Sequence, residues 1–280
     1  MNMICFPNAK INLGLRVLSK RKDDFHNLSS YFVPIALQDI LEVNTASNKS
    51  PKRSISYSGI IFPNQENDLI LRAYDLLDND FNLPAVNIHL HKNIPFGAGL
   101  GGGSSNATFM LMLLNELCDL QLNRNQLLKY TAVLGSDCSF FLFNELSLVS
   151  GLGERIQPVD ASMSDYYIVV VKPSFNCSTE EIFSHYKLTK NSCAYLSFIE
   201  NEDDWKEVFI NDLESVAFSL YPELQQIKDY VYSLGAIHAG MTGSGSSVYG
   251  LFKFAPKIKN CPFWFWQGTV LQKHPFKLTS

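Results

Sequence analysis

The sequence predicts an α+β protein built as two lobes. Three observations carry this reading. The length of 280 residues suits two lobes of about 150 residues each. Stretches that alternate with period two are interleaved with stretches of helical spacing, and a turn-rich segment at 151–164 separates two groups of them. The expected division is 1–160 for the N-terminal, nucleotide-binding and catalytic lobe and 161–280 for the C-terminal lobe.

In the first lobe Ile11, Leu13, Leu15 and Val17 alternate with Asn12, Gly14 and Arg16, the pattern of a half-buried strand. A polar loop at 19–27 follows, then apolar runs at 31–37 and 40–43 that read as strands, and a basic turn at 49–53. Leu69, Ile70, Ala73, Leu76 and Leu77 give 67–77 a helical period, and Val86, Ile88 and Leu90 return 86–91 to period two. Ala107, Met110, Leu111, Leu114 and Leu117 define an amphipathic helix over 104–118, with Ser104 or Ser105 as its N-cap. Asn123 opens a further helix that Gly135 closes. The link Gly135, Ser136, Asp137 then enters the apolar run 140–143, and 146–149 reads as a strand. The second lobe opens on a strand at 166–171, turns helical at 179–186, 205–209 and 224–234, and closes on strands at 246–254 and 263–271.

Hydrophobic residues make up 46 % and charged residues 18 % of the chain, an ordinary globular composition. With 23 basic against 27 acidic side chains the net charge is −4, so no global positive field draws the chain to nucleic acid or anionic lipid. The six cysteines, at 5, 118, 138, 177, 193 and 261, form no CxxC pair and read as reduced thiols of a cytoplasmic protein. The N-terminus lacks the basic start and cleavage site of an export signal. No uncharged apolar run reaches the roughly 20 residues that cross a bilayer. Oligomeric state is not readable.

The strongest local signal is PFGAGLGGGSSN at 95–106, placed between a strand and a helix. Gly97, Ala98, Gly99, Gly101, Gly102 and Gly103 leave the backbone open to close approach. Successive amides can turn onto phosphate oxygens there, and the helix that follows adds partial positive charge. Such a loop suits a di- or triphosphate. The embedded GxGxxG is weak evidence alone, and a second helix, not the acid-bearing strand of a dinucleotide fold, comes next. GxxxxGK[ST], HRD and DFG are absent. A second glycine-serine segment, GMTGSGSS at 240–247, suggests that both lobes reach one polar ligand.

PNAKINL, PFGAGLGGGSS and MTGSGSS resemble the three motifs of the GHMP kinase superfamily. The likeness continues through NDLILRAYDLL, LGSDCSFF, STEEIF and NDLE over nearly the whole length. Within the superfamily the chain is most similar to the branch whose acceptor is the 2-hydroxyl of 4-diphosphocytidyl-2-C-methyl-D-erythritol, in non-mevalonate isoprenoid synthesis. The resemblance implies a GHMP-kinase-like fold with its active site in the cleft between lobes. It also implies small-molecule partners only: ATP, with Mg²⁺ arriving on the nucleotide, and a cytidyl-diphosphate-linked polyol.

By the same resemblance Asp137 is the base and Lys10 its partner. Pro95, Gly97, Ala98, Gly99, Leu100, Gly101, Gly102, Gly103, Ser104 and Ser105 hold ATP together with Asp68 and Lys92, and Ser105 also touches the metal. Asn12, Phe25, His26, Thr179, Phe183 and Gly243 hold the acceptor, with Phe25 and Phe183 as stacking faces for cytosine and His26 as its hydrogen-bonding partner. The chain departs from the family where Asp24 and Phe25 replace Gly-Tyr before His26, and where Asp68 replaces an asparagine. Other acceptors such as mevalonate or homoserine, a non-catalytic nucleotide binder and a dehydrogenase are the competing readings.

Overall fold

The computed structural model describes residues 2–46, 51–61, 68–188, 196–271, 274 and 276. Three four-stranded sheets organise these residues. The first runs β1 (Asn2–Cys5), β4 (Ile40–Thr45), β6 (Val86–Lys92), β5 (Arg53–Gly59), antiparallel except for the parallel pair β5 and β6. The second is the antiparallel β2 (Asn8–Lys20), β3 (His26–Gln38), β7 (Ser147–Gly151), β8 (Arg155–Pro158). The third is the antiparallel β10 (His238–Met241), β11 (Val248–Phe252), β9 (Tyr167–Lys172), β12 (Trp264–Thr269).

Against the first sheet pack α1 (Leu69–Phe81) and α2 (Gly102–Leu117), with Tyr74, Leu77, Ile88, Met110 and Leu114 in one core. α3 (Arg124–Leu134) and the single turn α4 (Phe140–Phe143) close its far side. A second core joins Ile11, Val33 and Ile35 of the second sheet to Ile168, Val170 and Leu251 of the third. The third sheet carries α8 (Glu223–Ser233) on its other face. The short helices α5 (Thr179–His185), α6 (Trp205–Val208) and α7 (Glu214–Leu220) complete the C-terminal half.

Several expected elements appear as read. Asn123 and Gln126 form a full capping box on α3, which Gly135 ends, and β6 leads into the glycine loop. Others need correction. The strand at 11–17 is part of β2 and is buried on both faces, because a bulge at Gly14 and Leu15 opposite Ser30 switches its direction. Ile11 and Leu13 enter the second core, while Leu15 and Val17 join a separate cluster with Leu213 and Leu224. Gly14 has φ +68°, and a Cβ there would stand 3.1 Å from the Phe209 backbone, so glycine is required.

The polar loop at 19–27 shrinks to a hairpin tip closed by Arg21 N–H donating to Phe25 O at 2.8 Å. α2 is not amphipathic: residues 105–115 are buried all round, since α1, α3 and β2 cover what one sheet alone would leave open. Its N-cap is Gly101 in the left-handed region, without a side-chain cap, and neither Ser104 nor Ser105. The turn-rich segment 151–164 contains β8, and β1, β5, β10 and α7 are additional to the predicted elements. Short edge strands and a seven-residue helix carry too few periods to stand out. Asn67, Lys49 and Cys193 lie outside the described residues; the other five cysteines are free thiols. Among the described residues no helix is long and apolar enough to cross a membrane.

Candidate active site

The glycine loop leaves β6, and its alternating backbone explains its composition. Gly97, Gly99 and Gly101 have φ of +63°, +72° and +70°, values that disfavour any residue with a Cβ. Space excludes one too. A Cβ on Gly99 would stand 2.2 Å from the Thr242 carbonyl oxygen, and one on Gly101 would press on Phe141 and the Lys10 stem at 3.0 and 3.1 Å. Gly99→Ala is therefore expected to destabilise the fold by about 2–4 kcal/mol and to lower kcat/KM for the nucleotide, measured by thermal unfolding and initial rates. Unchanged unfolding would show that the two glycine segments are not packed together as described. The loop ends at the first turn of α2, whose amides have no acceptor within the helix.

This loop is the common wall of two cavities. The smaller, of about 450 Å³, is lined by Pro95, Phe96, Ala98, Leu100, Gly102, Gly103 and Ser104, with Asp68, Leu69 and Lys92 opposite. The larger, of about 950 Å³, is lined by Lys10, Asn12, Asp137, His26, Phe183 and Gly243, among others. Gly97, Gly99 and Gly101 line both.

Lys10 and Asp137 meet at the larger cavity, with Nζ and Oδ2 3.3 Å apart. The lysine comes from β2 and the aspartate from the turn before α4. Their environments differ. Lys10 is 4 % exposed at its side chain, whereas Asp137 is 32 % exposed and opens to the cavity. The ammonium also donates to Asn12 Oδ1 at 2.6 Å and to Gly99 O at 3.2 Å, and it lies 4.5 Å over the Phe32 ring. Asn12 in turn donates from its backbone to Thr242 Oγ1 at 3.0 Å, and Thr242 Oγ1 donates to Gly99 O at 2.9 Å. Both glycine segments and β2 are thus held around one lysine.

At the other end of the larger cavity, Phe25 sits on the hairpin tip, 63 % exposed. His26 stacks on Phe183 of α5, with ring centroids 5.0 Å apart and planes at 24°. Burial lowers the His26 pKa, and the nearby Lys20 charge adds to this, so the ring favours its neutral form. That separation leaves no room for a third ring between them, so His26 covers one face of Phe183, while Phe25, His26 and Phe183 all line the larger cavity. Thr179 Oγ1 meets Ser244 Oγ at 2.7 Å, tying the start of α5 to the second glycine segment.

The smaller cavity has a more constrained lining. Asp68 caps α1 by accepting from Ile70 N–H at 2.8 Å and also accepts from Tyr57 OH at 3.1 Å; burial raises its pKa. Lys92 is buried and paired with the fully buried Asp39, whose other oxygen accepts from Asn93 and Ile94 N–H at 2.8 Å each. Its charge is therefore already balanced. Ser104 lines this cavity, whereas Ser105 is enclosed, lines neither, and has no partner for its Oγ. Among the described residues no group of three or more His, Cys, Asp or Glu side chains could hold a metal ion.

Asp39 and Thr242 belong to the site's framework and were not among the expected residues. Thr242 lies inside the MTGSGSS motif, a signal that was available. A single acid between two apolar runs, as at Asp39, reads only as a turn.

The profile of the GHMP kinases N terminal domain matches residues 68–145, and that of the GHMP kinases C terminal matches 199–259. The 4-diphosphocytidyl-2-C-methyl-D-erythritol kinase of Bacteroides fragilis is 45 % identical over 263 residues, covering 93 % of this chain and 96 % of that protein. A crystal structure of 4-(cytidine 5'-diphospho)-2C-methyl-D-erythritol kinase superposes with a TM-score of 0.76 at 29 % identity, covering 96 % of this chain and 99 % of that one. Homoserine kinase from Cytophaga hutchinsonii shares the fold, at TM-score 0.70, 13 % identity and coverage of 98 % and 96 %. A kinase fold, a glycine loop between two cavities and this likeness along the chain agree: the protein belongs to the GHMP kinases, in the family of the 4-diphosphocytidyl-2-C-methyl-D-erythritol kinases.

Proposed function

We propose that this chain transfers the γ-phosphoryl group of ATP to the 2-hydroxyl of 4-diphosphocytidyl-2-C-methyl-D-erythritol, a step of non-mevalonate isoprenoid precursor synthesis. The observation that carries it is the shared wall: Gly97, Gly99 and Gly101 border a small cavity on one side and, on the other, the larger cavity that holds Lys10 and Asp137. A triphosphate bound along that loop presents its outermost phosphorus to an alcohol in the larger cavity. In this reading residues 1–160 hold the nucleotide and the catalytic pair, and 161–280 close the acceptor side.

The Asp137 carboxylate takes the proton of the acceptor hydroxyl as that oxygen forms its bond to the γ-phosphorus. The bond from phosphorus to the bridging oxygen breaks, and ADP leaves with the electron pair. Lys10, with Nζ 3.3 Å from Asp137 Oδ2, pairs with the carboxylate and stabilises the charge on the transferring group. Asn12 orients Lys10 and faces the polyol. The backbone from Pro95 to Ser105 holds the phosphates, with Asp68 and Lys92 at the nucleotide's flank. Phe25, His26, Phe183, Thr179 and Gly243 hold the cytidyl diphosphate.

Mg²⁺ carried by the nucleotide neutralises phosphate charge when bound. One carboxylate, Asp137, opens to the cavity and fits such an ion, whereas Ser105 is enclosed and lines neither cavity, so nothing supports its expected contact with the metal. The nucleotide's own oxygens and water supply the rest.

An ADP-release assay tests the assignment. The cytidyl acceptor is expected to exceed mevalonate and homoserine by at least about a hundredfold in kcat/KM, with the new phosphate on the 2-oxygen by NMR. Faster turnover of either small alcohol, or binding without turnover, rules the proposal out.

A further inference from the structure

The NDLE segment at 211–214 contributes no polar side chain to the lining of either cavity, yet each of its polar side chains holds part of a wall. Asp212 accepts from Arg16 Nη1 and from Val17 N–H, both at 2.9 Å, and its own N–H donates to Leu15 O at 2.8 Å, so it fastens β2 just past its bulge. Glu214 accepts from Met241 N–H and from Lys228 Nζ, both at 2.7 Å. Asn211, 3 % exposed, donates from Nδ2 to Met241 O and to Gly243 O at 2.8 Å each, and accepts from Leu213 N–H at 3.0 Å. Its amide spends both donor hydrogens on the backbone of the second glycine segment.

This has a directional consequence. The bond between Gly243 and Ser244 is a trans peptide, and in a trans peptide the carbonyl and the N–H point opposite ways. Drawing Gly243 O back onto Asn211 turns the Ser244 N–H the other way, toward the side where Gly243, Ser244 and Gly245 line the larger cavity. The neighbouring amides serve the loop itself: Thr242 N–H donates to Ser247 O, and Gly245 N–H to Thr242 O, each at 3.0 Å. Gly243, at φ +59° and without a side chain, leaves the approach to the Ser244 amide open.

We propose that Asn211 is a positioning residue for the acceptor: it aims the Ser244 amide at a phosphate oxygen of the acceptor's diphosphate. The inference rests on the function proposed above. With the base at the Phe25 and His26 end and the reacting hydroxyl at Asp137, the span between them is the diphosphate, and an N–H directed at an anionic oxygen gives a strong, oriented bond. Asn211 touches no ligand itself.

The test compares cytidine with cytidine diphosphate, titrated calorimetrically while a non-hydrolysable ATP analogue fills the nucleotide site. Wild type is expected to bind cytidine diphosphate at least about tenfold more tightly than cytidine. N211A and N211D, checked for folding by thermal unfolding, are expected to hold cytidine within about twofold of wild type and to lose the preference for the diphosphate. A role confined to stability would weaken both probes in parallel, and that result, or a preference that survives, overturns the proposal. A second measurement needs no variant. In ¹⁵N-labelled wild type the Ser244 amide proton is expected to move downfield with cytidine diphosphate and not with cytidine; an unmoved signal also overturns it. Wild type binding both probes equally defeats this role alone, whereas wild type binding neither defeats the acceptor assignment as well.

Discussion

Asp137→Asn is expected to lower kcat by about 10²- to 10⁴-fold while leaving the KM for ATP within about threefold, because the amide keeps the shape of the side chain and loses only its basicity. The carboxylate opens to the larger cavity and its Oδ2 lies 3.3 Å from Lys10 Nζ, so it is reachable by an acceptor hydroxyl and charge-stabilised from behind. Stability should change little, since a group 32 % exposed is already solvated in the folded state. Pre-steady-state phosphoryl transfer with the cytidyl acceptor measures the effect. A rate within threefold of wild type would remove Asp137 from the role of base.

Lys10→Met is expected to cost about 10²- to 10³-fold in kcat. The methionine fills the space of the buried stem over Phe32, but the ammonium that contacts Asp137, Asn12 Oδ1 and Gly99 O is gone. The Thr242 hydroxyl, 2.9 Å from Gly99 O and 3.2 Å from Asn12 Oδ1, can then serve only one of those two acceptors, so a stability loss of about 1–3 kcal/mol for the one left unpaired accompanies the rate loss. Because both residues act on one proton transfer, the double variant should be no slower than the worse single variant. Fully additive losses would mean that the two act at separate steps. A wild-type rate for Lys10→Met would break the pairing outright.

Much of the chemistry was legible in the chain. The glycine tract is a local feature, encoded by residue types a few positions apart, whereas Lys10 and Asp137 were singled out by likeness to the family's motifs; the Asn123 cap of α3 and the strand leading into the loop appear as read. The stacking arrangement was not legible in the same way. Phe25, His26 and Phe183 were all expected in the acceptor site and all line the larger cavity, but that His26 covers the Phe183 face depends on how α5 packs against the hairpin. Periodicity also misjudged α2, where the apolar stripe marks only one of several buried faces.

The sequence by itself determined which backbone can embrace a phosphate, which side chains can carry a proton and a balancing charge, and where strands and helices alternate. Tertiary structure alone decided that Asn12 and Thr242, 230 residues apart, share a hydrogen bond, that Asp39 neutralises Lys92 beside the loop, and that Asn211 donates to Met241 O and Gly243 O of the second glycine segment. The reason is physical. Turn chemistry and periodicity act over a few residues, whereas a buried polar group takes whichever partner packing brings within about 3 Å, and no local pattern records that choice.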